Sequence, residues 1–143
     1  MTKHKIVIVQ NYLGASTDVA TRLYYLANYL LIRGDRSYLD YFASGPLEWY
    51  PEWKVDLGAP VTTGSTVADL AAGGAYEREF ANGWVVVNPT TTAATLTFPA
   101  SARLVVPQGG GVVDMTGAEP GSISYGSAAS VKLQPSTAAI VLK

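Results

Sequence analysis

Three carboxylates and three aromatic residues crowd into one stretch of the chain, Gly45-Pro46-Leu47-Glu48-Trp49-Tyr50-Pro51-Glu52-Trp53-Lys54-Val55-Asp56-Leu57-Gly58. Flat aromatic faces stack on the C–H faces of pyranose rings, and carboxylates accept hydrogen bonds from sugar hydroxyls. Glycoside hydrolysis needs two carboxyl groups ~5–10 Å apart across the bond. Trp49, Tyr50 and Trp53 are therefore candidate sugar-binding residues. Glu48 and Glu52, together with Asp40 just upstream, are the candidate catalytic carboxyls. A stretch too rich in proline for a helix can equally plug an interface with its aromatics and turn its acids to water. On sequence both readings stay open.

Other chemistry has little to work with. The 143 residues contain no cysteine and one histidine, which excludes thiol nucleophiles, disulfides and cysteine-based metal sites. A Ser-His-Asp triad would have to run through His4, close to the N-terminus. No His or carboxylate spacing matches a zinc or EF-hand site, and no cofactor motif is present. Lys and Arg number 10 against 11 Asp and Glu, so nothing marks a nucleic-acid or acidic-membrane partner. A neutral ligand is expected. Arg33-Gly34-Asp35 falls at a helix end, where each residue has a capping reason to be present. Gly109-Gly110-Gly111 lacks the Lys-Ser/Thr and the helix of a phosphate loop and reads as a flexible hairpin tip.

The elements that must position these residues fall into two compositional halves. Ten of fifteen aromatics precede residue 60, and ten of fourteen glycines follow it. Ile6-Val7-Ile8-Val9 is a β-branched run without alternation, the pattern of a parallel strand covered on both faces. A helix is expected from Thr17 to about Arg33, capped by Ser16 and ended by a left-handed Gly34. A second short helix is expected over Ser37–Phe42. A strand followed by a helix leaves the strand without a ladder partner, to be supplied by the second half, a second copy or a further body.

Past residue 60 the pattern changes to short alternating segments: 76–80, 84–88, 94–98, 103–106, 112–115, 123–125, 130–133 and 138–142. Asn82-Gly83 suggests a type I′ hairpin, residues 57–74 read as a linker whose Val67 and Leu70 could dock, and 138–142 reads as a final strand whose loss would open the sandwich edge. The fold class is thus α+β: an N-terminal strand-helix segment with the aromatic loop over residues 1–60, then an antiparallel β-sandwich of about eight strands over residues 61–143.

The run Tyr76-Glu77-Arg78-Glu79-Phe80-Ala81-Asn82-Gly83-Trp84-Val85-Val86-Val87-Asn88-Pro89 resembles the start of the C-terminal β-sandwich of glycoside hydrolases with a (β/α)8 barrel. Leu133-Gln134-Pro135 with Ala138–Leu142 is similar to that domain's closing strand, and Trp49–Pro60 to the connection leaving such a barrel. The resemblance implies that Lys5–Phe42 corresponds to the last barrel strand and helix. Because carboxyl ends of barrel strands face substrate, it also places Gln10, Asn11 and Tyr12 on the sugar-facing side. The middle strands that carry the acid/base and nucleophile in such enzymes have no counterpart here.

Two classes of function follow. One is a compact glycosidase, or a remnant of one, working through the carboxylates and completed by a second subunit. The other is a non-catalytic carbohydrate-binding β-sandwich. The apolar strand and helix at the N-terminus are expected to drive homo-oligomerisation. No targeting peptide is visible and the longest charge-free apolar helical stretch, Leu23–Ile32, is half of the ~20 residues a membrane span needs, which leaves the cytoplasm as the default location.

Overall fold

The computed structural model describes residues 6–43, 45–61 and 64–143. His4 lies outside them. Strand β1 (Val7–Tyr12), helix α1 (Val19–Ile32) and strand β2 (Ser37–Phe42) form a β-α-β unit in which β1 and β2 pair in parallel. The partner of β1 is thus none of the three bodies expected from sequence but the segment read as a second helix. Tyr38, Leu39, Tyr41 and Phe42 can share a helical face, yet aromatic residues also favour strands. The decisive term is tertiary: only an adjacent strand satisfies the backbone groups of β1.

Helix α1 begins later than expected. Asp18, not Ser16, is its cap, accepting hydrogen bonds from the Thr21 amide (3.0 Å) and hydroxyl (2.7 Å). Its end also differs, because Gly34 does not take positive φ. Instead the Arg78 guanidinium donates to the carbonyls of Leu30, Leu31 and Arg33 at 2.9–3.1 Å. An arginine from a distant strand thus satisfies the carbonyls that a left-handed glycine would otherwise help to cap.

After the short strand β3 (Glu48–Trp49) and the 3₁₀ turn Pro51–Lys54 come nine strands: β4 (Ala71–Ala72), β5 (Ala75–Phe80), β6 (Gly83–Asn88), β7 (Ala94–Thr97), β8 (Arg103–Gln108), β9 (Gly111–Val112), β10 (Ser122–Ser127), β11 (Ser130–Leu133) and β12 (Thr137–Leu142). Six form an antiparallel sheet in the order β10-β8-β12-β6-β5-β4; β7 pairs with β11, and β3 with β9. The α+β, sandwich-like class holds. Val86, Ala139 and Val141 face β7 and β11 in one core, while Val85, Val87 and Ile140 face α1 in another. Strands β6 and β12 are therefore buried on both faces, and the final strand lies between β8 and β6 inside the sheet.

The expected strand at 112–115 shrinks to Gly111–Val112, and Met115 is fully exposed. Within the stretch read as a linker, a 3₁₀ turn at Val67–Leu70, with a Thr66/Asp69 capping box, buries Leu70 but leaves Val67 exposed. In the β5–β6 hairpin the loop residues are Ala81 and Asn82, neither with positive φ, so the turn is not type I′. Gly83 serves another purpose: a Cβ there would lie 2.2 Å from the Val141 carbonyl oxygen.

Candidate functional site

The sequence-derived candidates separate into two groups. The first lies on β1 and β2. Side chains alternate along a strand, and the odd positions turn toward α1: Leu13 and Tyr41 are buried, and the Tyr41 hydroxyl donates to the Arg22 carbonyl at 2.6 Å. Even positions face away from the helix. The parallel register sets Ile8 beside Tyr38, Gln10 beside Asp40 and Tyr12 beside Phe42. Gln10 and Asp40 are exposed, so an amide and a carboxylate stand next to one another in solvent. Tyr12 and Phe42 meet edge to face, with centroids 5.8 Å apart and planes at 71°. Asn11, of opposite parity, is half-buried, and its Nδ2 has no hydrogen-bond partner.

This arrangement sits at the carboxyl ends of two adjacent parallel strands, where α/β folds commonly bind ligands. It offers one carboxylate, one amide able to donate and accept, and an aromatic pair. Phe42 was not singled out from sequence. The parity of Tyr38, Asp40 and Phe42 would have revealed it, but the helical reading of that segment concealed the alternation.

The second group gathers around a buried ion pair. Arg22, on the apolar face of α1 in line with Leu26 and Leu30, holds Glu52 by two bonds, Nε to Oε1 at 2.8 Å and Nη2 to Oε2 at 3.2 Å. Both side chains have zero solvent exposure. The guanidinium also donates to the Gly109 carbonyl (2.8 Å) and the Ser16 carbonyl, and it lies 4.7 Å from the centroid of the Tyr50 ring. Such a fork-to-carboxylate pair with its remaining donors satisfied can persist away from water. An arginine amid helix leucines was the sequence signal for it.

Glu48 is also buried, its Oε2 receiving the Tyr50 hydroxyl (3.0 Å) and the Ala43 amide (3.2 Å). Burial, reinforced by that bond to Glu48, pushes the Tyr50 phenol up to about 12. Burial likewise raises the Tyr41 phenol above its ordinary value. Tyr41, Tyr50 and Trp53 pack with ring centroids 5.2–5.5 Å apart, and Trp49 meets Trp53 edge on at 5.5 Å. The Trp53 indole nitrogen is buried without a hydrogen-bond partner.

The three glycines do not make a flexible tip. All have positive φ, and a Cβ on Gly110 would lie 3.0 Å from the Tyr50 ring and 3.1 Å from Pro51. They are a close-packed wall of the ion-pair chamber. Of the three carboxylates singled out from sequence, Asp40 is in solvent, whereas Glu48 and Glu52 are held inside by named partners.

Comparison with known proteins returns one family. The model of hypothetical glycosyl hydrolase family 15 matches residues 1–84, which include the β-α-β unit, the aromatic loop and the start of β6. No curated protein and no solved structure matches the chain.

Proposed function

The chain belongs to hypothetical glycosyl hydrolase family 15, and from that premise we propose that it binds carbohydrate through the open face at the carboxyl ends of β1 and β2. Asp40 and Gln10 would bond sugar hydroxyls while Tyr12 and Phe42 stack against the ring. The observation that carries this reading is the register: it sets the polar pair and the aromatic pair side by side on one solvent-exposed face. In this reading Glu48, Glu52, Trp49, Tyr50 and Trp53 hold the β-α-β unit on the sandwich rather than touch the ligand. The face bears a single exposed carboxylate, so the face alone is a binding wall. Hydrolysis requires a second carboxyl group opposite it.

Affinity electrophoresis through gels cast with different polysaccharides tests this. The wild-type chain is expected to be retarded in at least one gel. Tyr12→Ala and Asp40→Asn are expected to weaken retention about tenfold each, equivalent to ~1.4 kcal/mol. Both positions are exposed, so melting should stay within about 0.5 kcal/mol of wild type. Absence of retardation in every gel, or retention unchanged in both variants, would refute the assignment.

A further inference from the structure

Where the end of α1 meets the stretch 60–70, an open cavity of about 240 Å³ lies on the side of the amino ends of β1 and β2, away from the carboxyl ends that carry the open face. It is smaller than the ~300–1,000 Å³ of sites that take drug-sized molecules, and so suits a small ligand. Leu31 and Leu70 give it a buried apolar wall. The exposed Arg33 and Asp35 and the half-buried Arg78 bring charge to its edge.

Two guanidiniums thus border one small volume. Nη1 of Arg78 is committed to three carbonyls at the end of α1. Its Nε and Nη2, and the whole Arg33 guanidinium, have no hydrogen-bond partner among the described residues, and neither arginine is ion-paired there. The nearby acids are directed elsewhere. Glu77 and Glu79 alternate to the opposite face of β5 from Arg78, and the Asp69 carboxylate accepts from the Ser65 and Thr66 amides at 2.9 and 2.8 Å. Asp35 shares the cavity but bonds to neither arginine. Burial and the Arg33 charge both hold the Arg78 guanidinium below its ordinary value. The net charge of −1 over the whole chain therefore conceals a local excess of positive charge.

A guanidinium presents a planar fork of donors that matches the oxygens of a carboxylate or a phosphate. The partial negative charge at the end of α1, which would repel an anion, is already met by Nη1 of Arg78. A bare inorganic ion would leave the apolar wall unfilled. We infer that this cavity is a second ligand site, separate from the open face, for a small organic oxyanion: a carboxylate or phosphate on a body of about a monosaccharide's size. Its charged end sits between Arg33 and Arg78, and its body lies against Leu31 and Leu70. Asp35 opposes the anion and limits its affinity.

Isothermal titration calorimetry of the full chain with glucuronate, glucose 6-phosphate, inorganic phosphate and neutral glucose tests the inference. At least one of the two sugar anions is expected to bind with a Kd below about 1 mM, and the tighter of them identifies the charged group as carboxylate or phosphate. Inorganic phosphate is expected to bind more weakly than that anion, and glucose to give no binding heat. Arg33→Gln, at an exposed position that leaves the Arg78 bonds to α1 in place, is expected to melt with the wild type and to weaken the tighter anion about tenfold. Asp35→Asn is expected to tighten it about twofold, a gain that a damaged fold would not produce. Tyr12→Ala is expected to bind it as the wild type does. No heat from either sugar anion at ten times the expected Kd would overturn the inference, as would glucose or inorganic phosphate binding equally well. Undiminished affinity in Arg33→Gln, unimproved affinity in Asp35→Asn or a loss in Tyr12→Ala would also overturn it. None of these outcomes bears on the retention of neutral polysaccharides by the open face, so the two readings fail separately.

Discussion

Replacing Arg22 with methionine probes the ion pair that joins the β-α-β unit to the aromatic loop. The substitution keeps most of the aliphatic volume but leaves the Glu52 carboxylate buried at zero exposure without its two bonds of 2.8 and 3.2 Å. Removing one partner of a buried pair costs about 3–5 kcal/mol, a large share of the ~5–15 kcal/mol that stabilises a domain. For a chain of 143 residues each kcal/mol moves the melting temperature by about 3 °C, so a fall of about 10–15 °C is expected. Adding Glu52→Leu removes the stranded charge and should restore much of the loss. Recovery stays incomplete, because the Gly109 and Ser16 carbonyls still lack the donor they had in Arg22, at about 1–3 kcal/mol for an unsatisfied group. Urea denaturation followed by tryptophan fluorescence, with all four members of the double-mutant cycle, gives the coupling directly. A cost below about 1 kcal/mol for Arg22→Met, or two single losses that simply add, would refute the claim that this pair holds the two parts together.

Other perturbations test other links. Gly83→Ala drives a Cβ to 2.2 Å from the Val141 carbonyl at the centre of the main sheet, and a loss of about 3 kcal/mol or more in chemical denaturation is expected. Asp18→Ala removes the α1 cap and should cost about 1 kcal/mol, measurable as a shift in urea midpoint. The Thr21 hydroxyl and amide hold the Asp18 carboxyl below its ordinary value of 3.8, and similar turn bonds lower Asp69 and Asp114. A folded-state pKa below the unfolded one contributes stability in full above the unfolded value and loses it as pH falls through the folded value. The difference between wild type and Asp18→Ala should therefore shrink below about pH 4, and a pH-independent difference would contradict the assignment. In alkaline absorbance titration, Tyr50→Phe should remove a phenol ionisation at about 12, and an unchanged amplitude in that range would contradict the burial of that hydroxyl against Glu48.

The sequence by itself determined the strand pattern past residue 75, because apolar alternation and turn residues are local signals that central strands reinforce. It also determined the first strand and the body of α1, through β-branched and 3.6-residue periodicities, and it marked the aromatic loop as the place where charge and rings meet. The tertiary structure decided the rest. Ser37–Phe42 contains residues suited to either periodicity, and the unpaired backbone of β1 selects the strand. That choice alone turns Asp40 outward beside Gln10 and Phe42 beside Tyr12, a juxtaposition across 30 residues of chain that no local pattern encodes. Burial of Glu52 likewise depends on an arginine on α1 and a glycine carbonyl 87 residues further along. Residue types say which groups could do chemistry; whether a carboxylate meets water or a guanidinium is settled by which elements pack around it.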